Sequence, residues 1–191
     1  MEPVLCESHR PQLGVSLSFS LHGEDWKDTS SQMYELGTNI AQICLRPLHN
    51  PISSQQPPPP IKKQLVIIRE GFRKRQQHLV VHGQYVINLS RTIQTNQWAL
   101  HYLIEDMRHT HAMGGMGVVV HMGKHGKLSL EAAFTNMIKS IQFVLQHTPS
   151  ESILILETAA GQGTELLTSI PKNISRIVEF PTTTISYMSR R

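Results

Sequence analysis

Three apolar runs, each ending on a side chain able to bind a metal, constrain this chain more than any other feature. His78-Leu-Val-Val-His82, Gly117-Val-Val-Val-His121 and Ser152-Ile-Leu-Ile-Leu-Glu157 hold almost nothing polar between their ends. A strand with one wet face alternates apolar and polar residues. An unbroken Val/Ile/Leu run is expected where both faces are covered, as in a parallel sheet flanked by helices. Helical patterns separate the runs. Leu130, Ala133, Phe134, Met137, Ile138, Ile141, Val144 and Leu145 repeat at about 3.6 residues. Trp98, Tyr102, Leu103 and Met107 give a rougher stripe over Asn96–Thr110, and Ile61–Gln77 is a basic helical stretch that Gly71 is expected to interrupt. Upstream, Leu13–Ser20 alternates like a short strand and Gly23–Ser31 reads as polar loop. A helix is expected over Ser30–Leu36, ended by Gly37, and a second strand over Ile40–Leu45. Strand and helix alternate about five times, which makes the class α/β.

His82, His121 and Glu157 are 39 and then 36 residues apart, each about one strand-helix unit. Neighbouring parallel strands bring residues at their C-terminal ends to one rim, where α/β barrels and open α/β sheets place their sites. Two imidazoles and a carboxylate are a donor set for Zn²⁺, with Mn²⁺ and Fe²⁺ as alternatives. One strand-terminal His alone is more often structural; three donors in register point to a metal. His109, His111 and His125 sit among Gly114, Gly115, Gly117, Gly123 and Gly126 and read as loop residues, not ligands. Gly161-Gln-Gly163 follows a strand but has Leu166 where a dinucleotide fingerprint needs its third glycine, and no Gly-Lys-Ser/Thr loop is present. No Ser or Cys with a His-Asp partnership stands out, so covalent hydrolysis has little support.

Composition limits the remaining classes. With 39% hydrophobic and 17% charged residues the chain can bury a core. A net charge of +4 suits a polyanionic partner without demonstrating one. Cys6 and Cys44 cannot build a disulfide framework, Met1–Arg10 lacks the apolar run of a signal peptide, and no run reaches the roughly 18–20 apolar residues of a membrane span. The expectation is an intracellular protein, nuclear or cytoplasmic, not secreted and without a membrane partner. Asn50–Pro60 ends in four prolines and reads as a polyproline-type surface loop.

The residues around the three donors carry a resemblance. His82-Gly-Gln-Tyr85-Val-Ile-Asn88-Leu, Val120-His121-Met-Gly123 and Glu157-Thr-Ala-Ala-Gly161-Gln162-Gly163 occur in the order and at the spacing of the endonuclease IV family of apurinic/apyrimidinic endonucleases. The last is similar to that family's Glu-Asn-Thr-Ala-Gly-Gln-Gly signature. The resemblance covers Leu13 to Ile170. It implies a TIM barrel that uses a trinuclear zinc cluster to cleave double-stranded DNA on the 5′ side of an abasic site. By the same resemblance His82 and His121 are ligands of the first zinc, and Glu157 bridges the first and second and acts catalytically. Tyr85, three residues after a ligand, is a candidate to stack on DNA, with simple packing against the rim as the alternative. The basic run Arg69-Glu-Gly-Phe-Arg73-Lys74-Arg75 has a phosphate-contact reading, set below that of a solvated helix face.

The sequence also departs from the family. Ser16 stands where the family has a first-strand His, His49 is the nearest counterpart of an Arg that enters the DNA stack, and after Arg176–Phe180 the sequence lacks an Asp-Thr-Cys-His strand and the later ligands. The expectation is therefore an incomplete (β/α) TIM-type barrel with about five of eight strand-helix units. It divides into an N-terminal tail 1–12, a partial barrel 13–170 with the Pro-rich loop 50–60, and a divergent tail 171–191. A full trinuclear cluster is not expected, and activity should be impaired. The alternative is a catalytically inactive barrel fragment that binds DNA or protein. With its first and fifth strands both left as edges, the chain is expected to self-associate or to need a complementing chain, and Ser152–Leu156 should be an exposed apolar edge.

Overall fold

Val118, Val119 and Val120 are each at most 1% exposed, sealed on both faces as their lack of alternation requires. They form the middle of a strand, β4 (Gly117–His121), in a sheet whose other elements flank it in chain order. A computed structural model describes residues 14–17, 25–46, 62–159, 161, 163–166 and 185–188. The elements are β1 (Gly14–Ser16), α1 (Trp26–Glu35), β2 (Ile40–Ile43), α2 (Lys62–Lys74), β3 (His78–His82), α3 (Ile93–Ala112), β4, α4 (Leu130–Gln146), β5 (Leu154–Glu157) and β6 (Ile185–Met188). All six strands pair in parallel as β1-β2-β3-β4-β5-β6. Among the described residues β1 and β6 each have one strand neighbour, so this is an incomplete (β/α) barrel.

The helices form where the sequence offers both a start and an apolar face. Ser129 caps α4, its hydroxyl accepting the Ala132 N–H at 3.2 Å, and Glu131 stands in the positive first turn. From there Ala133, Met137, Ile141 and Val144 run buried against the sheet. On α3 the buried stripe is Ala99, Leu100, Leu103, Ile104 and Met107, and the two helices pack on each other.

Four expectations change. The helix expected over Ser30–Leu36 begins at Trp26, so most of the segment expected as loop is helical; Trp26 is 5% exposed and its burial holds that first turn down. Gly71 does not interrupt α2. It lies inside the helix because the Trp26 ring rests on it, so close that a Cβ there would stand 2.2 Å from the ring. His109 and His111 are helical, not loop, because α3 runs to Ala112 and the glycines begin only after it. Finally, β5 is no edge. Ile185–Met188 lies beside it in parallel register, Leu154 opposite Ile185 and Glu157 opposite Met188. An apolar strand's N–H and C=O groups need partners, and Ile185-Ser-Tyr-Met188 supplies them. The five expected strands are present, and this sixth falls in the stretch expected as a tail. The N-terminal tail 1–12, His49 and the Pro-rich loop 50–60 lie outside the described residues.

Candidate metal centre and adjoining cleft

Three neighbouring strands deliver three donors to the same rim. His82 ends β3, His121 ends β4 and Glu157 ends β5. His121 is level with Glu157, while His82 is level with Val119, so the two histidines are offset by two residues, as the stagger of a barrel sheet demands. Glu157 Oε2 lies 3.2 Å from His82 Nε2 and 3.6 Å from His121 Nε2, and one donor atom from each residue lies within 4.8 Å of the others. His82 and Glu157 are buried; His121 keeps 26% of its side chain exposed, leaving an approach from solvent.

The hydrogen bonds favour a cation between these groups. His82 Nδ1 lies 2.7 Å from the Gly83 carbonyl, which can only accept, so Nδ1 carries a proton. In a neutral ring Nε2 is then a bare lone pair, and it faces a carboxylate oxygen that is another acceptor. Two acceptors at this distance need a proton or a metal between them. A ring pinned through Nδ1 with Nε2 turned inward is also the usual state of a metal-ligating histidine. Tyr85 packs on both imidazoles, its centroid 5.2 Å from each, and stays 43% exposed.

Beside the three donors opens a cleft of about 360 Å³, lined among others by Tyr85, Asn88, Arg91, His121, Lys124 and Glu165. Its walls are stapled by Asn88. That side chain donates to the Lys124 carbonyl at 3.0 Å and accepts the Lys124 N–H at 3.1 Å and the Ser90 N–H at 3.1 Å. Asn96 and Asn136 hold the same loop from two helices, donating to the Asn88 and Ser90 carbonyls. Gly123, at φ +100°, is required here, because a Cβ would meet Asn88 Oδ1 at 2.0 Å. Lys124 and Glu165 face each other across the β4–α4 and β5 loops at 3.7 Å, and Glu165 Oε2 accepts the Gly161 N–H at 3.1 Å. The sequence reading missed Asn88, Arg91, Lys124 and Glu165 as site residues. The signal available was Asn88, inside the first motif, and Gly123, which ends the second.

Other candidates fall elsewhere. His125 Nδ1 donates to the Leu128 carbonyl at 3.0 Å, and none of His109, His111 or His125 joins a three-donor group among the described residues. The basic run on α2 lines a larger cleft, about 580 Å³, that borders the N-terminal ends of β2 and β3, opposite the donors; there Arg73 pairs with Glu70 at 2.7 Å. Between sheet and α3 lies a separate polar cluster. Burial pushes the Asp106 carboxyl up to about 6, with Arg46 at 3.0 Å pulling the other way and Glu105 adding to the rise. Burial, and Asp106 after it, also raise the Cys44 thiol; burial and Arg46 lower His109. No helix among the described residues is long and apolar enough to cross a membrane.

Residues 31–180 match the family described as a xylose isomerase-like TIM barrel. A putative endonuclease 4 of Acanthamoeba polyphaga mimivirus is 30% identical over 142 residues, covering 71% of this chain and 44% of that protein. A probable endonuclease 4 of Pediococcus pentosaceus is 31% identical over 103 residues, 52% of this chain and 34% of that one. The chain thus spans less than half the length of these curated relatives. Among solved structures, endonuclease IV from Thermus thermophilus superposes with a TM-score of 0.67 at 19% identity, over 93% of this chain and 62% of the other, a likeness of fold.

Proposed function

This chain belongs to the xylose isomerase-like TIM-barrel family, and on that premise we propose that it carries part of a zinc-dependent endonuclease site that hydrolyses double-stranded DNA 5′ to an abasic nucleotide. The observation that carries the reading is the convergence of His82 Nε2, His121 Nε2 and a Glu157 oxygen at one rim, with the outer nitrogen of His82 already pinned. Two neutral imidazoles and one carboxylate suit zinc better than the all-oxygen sites of harder ions, with Mn²⁺ and Fe²⁺ as alternatives. The curated relatives' name, endonuclease, favours a nucleic acid over other substrates of this fold. A DNA substrate fits a site of action inside the cell, in nucleus or cytoplasm.

When held there, zinc supplies Lewis acidity, lowering the pKa of water and drawing charge from phosphoryl oxygens. The chain's own residues do the rest. Gly83 fixes the His82 ring through Nδ1. Glu157, 3% exposed, brings a carboxylate that orients and accepts a proton from a reacting water. Tyr85 offers an exposed ring face on which the sugar or base next to the lesion stacks. Among the described residues three donors gather, enough for one metal but short of a trinuclear cluster. Turnover by the 191-residue chain is therefore expected to be about three or more decades slower than with a full cluster, since single preorganised groups are worth about two to three decades.

The test uses the purified chain, with and without zinc, and a duplex bearing a tetrahydrofuran abasic analogue. We expect slow zinc-dependent incision 5′ to the analogue, lost in His82→Ala and Glu157→Gln. Incision that survives both substitutions, or a chain that takes up no zinc by calorimetry, overturns the reading. The second reading, an inactive barrel fragment that binds DNA or a protein, rests on the same count of three donors; zinc uptake and duplex binding without any incision would establish it.

A further inference from the structure

The cleft beside the donors carries cations in a fixed frame. Arg91 lines it and is exposed, and among the described residues no hydrogen bond or ion pair holds its guanidinium. Its backbone, by contrast, is tied down. The Arg91 N–H donates to the Asn88 carbonyl at 3.2 Å, inside the turn that Asn88, Asn96 and Asn136 lock to the β4–α4 loop. Across the cleft Lys124 meets Glu165 only at 3.7 Å, a loose pair with the lysine side chain 61% exposed. An anion of stretched shape, bound with one end at His121, therefore meets, among the described lining residues, two cations and a single acid already engaged by the Gly161 N–H.

We infer that Arg91 and Lys124 form a grip for one backbone phosphate of the strand whose lesion faces His82, His121 and Glu157, with Glu165 holding Lys124 back until a phosphate displaces it. This rests on the nuclease reading above and adds the residues that seat its substrate. A planar guanidinium binds a phosphodiester through two parallel N–H bonds, whereas the ammonium acts as a point charge. Glu165 sets the strength of the grip: it competes with the phosphate for Lys124.

Fluorescence anisotropy with the 191-residue chain, zinc and a labelled duplex carrying a tetrahydrofuran residue tests this across a salt series. Arg91→Ala is expected to weaken binding roughly tenfold at low salt and to flatten the slope of log K against log salt by about 0.9, one phosphate's share. Arg91→Lys recovers the slope more than the affinity. Glu165→Gln keeps an acceptor for Gly161 and is expected to tighten binding. Arg73→Ala, on the opposite end of the sheet, changes nothing, and unaltered thermal melts show that each variant folds. Arg91→Ala with wild-type affinity and slope, or Glu165→Gln that weakens binding in a folded protein, overturns the grip alone. A wild-type chain that binds neither lesion-bearing nor intact duplex overturns the nuclease reading, and the grip with it.

Discussion

Asp106 shows how one buried charge ties stability to pH. Its carboxyl is 2% exposed and bonded to Arg46 at 3.0 Å, yet desolvation outweighs the guanidinium and lifts its pKa from 3.8 to about 6. A folded-state pKa above the unfolded one means that the fold favours the protonated form. The stabilising contribution is complete below pH 4 and is lost as the pH rises through 6, in total on the order of 3 kcal/mol at 1.36 kcal/mol per unit. Asp106→Asn keeps the shape and removes the titration. Urea melts at pH 4 and pH 7 should therefore show the variant gaining on the wild type by on the order of 2–3 kcal/mol between the two; a gap that stays constant refutes the assignment. At this scale the sequence was legible only where a pattern announced a residue. His82, His121 and Glu157 stand out because each closes an apolar run. Arg46, Asp106 and Arg91 stand in no pattern, and the bonds that give them meaning, Arg46 to Asp106 or Asn88 to Lys124, join residues 60 and 36 positions apart.

The elements formed where local signals agreed with tertiary packing and shifted where they did not. β3 and β4 have the bounds that their apolar runs mark, and α4 begins at its serine cap. The start of α1 was illegible because Trp26-Lys-Asp-Thr29 has no helical period of its own; what fixes it is Trp26 lying on Gly71, with the Phe72 ring 5.8 Å away and the Arg75 guanidinium 5.4 Å over the indole. The same contact explains a glycine inside α2. Helix propensity favours Ala at that position by about 1 kcal/mol, but a methyl 2.2 Å from a buried indole forces displacement costing about 1–3 kcal/mol. Gly71→Ala is therefore expected to destabilise the chain by a net of up to about 2 kcal/mol. In a Trp26→Ala background the clash is gone, and the same substitution should stabilise by roughly 0.5–1 kcal/mol. Denaturant melts of the four proteins decide it: without the change of sign, the Trp26 contact is not what reserves the position for glycine.

A parallel sheet in strict chain order, with helices as crossovers, is the way a TIM barrel is wound, and closure ties eight strands to one tilt and stagger. Six strands are described here, and the outer side of β6 has no strand beside it among them. The sequence foretold the winding but not β6, because which segment completes a parallel strand is decided by what lies beside it in space. β1 is three residues long, and so short an edge offers little to pair with. β6 differs: Ile185-Ser-Tyr-Met188 contains no charge and no proline, the two devices that commonly keep an edge from recruiting another chain. Where no further part of the chain covers it, a row of N–H and C=O groups on such an edge is satisfied by water or by a second copy, and a sequence without charge or proline leaves the copy unopposed. The 191-residue chain is accordingly expected to self-associate through β6. Sedimentation velocity between about 0.1 and 100 µM, a range over which a micromolar contact (about 8 kcal/mol) goes from sparse to saturated, should show mass rising with concentration. Ser186→Lys, a charge set into that edge, should return the chain to a monomer without lowering its melting temperature. If the wild type stays monomeric across the range, the outer side of β6 is covered within the chain itself; if it associates but Ser186→Lys has no effect, the contact lies elsewhere on the surface.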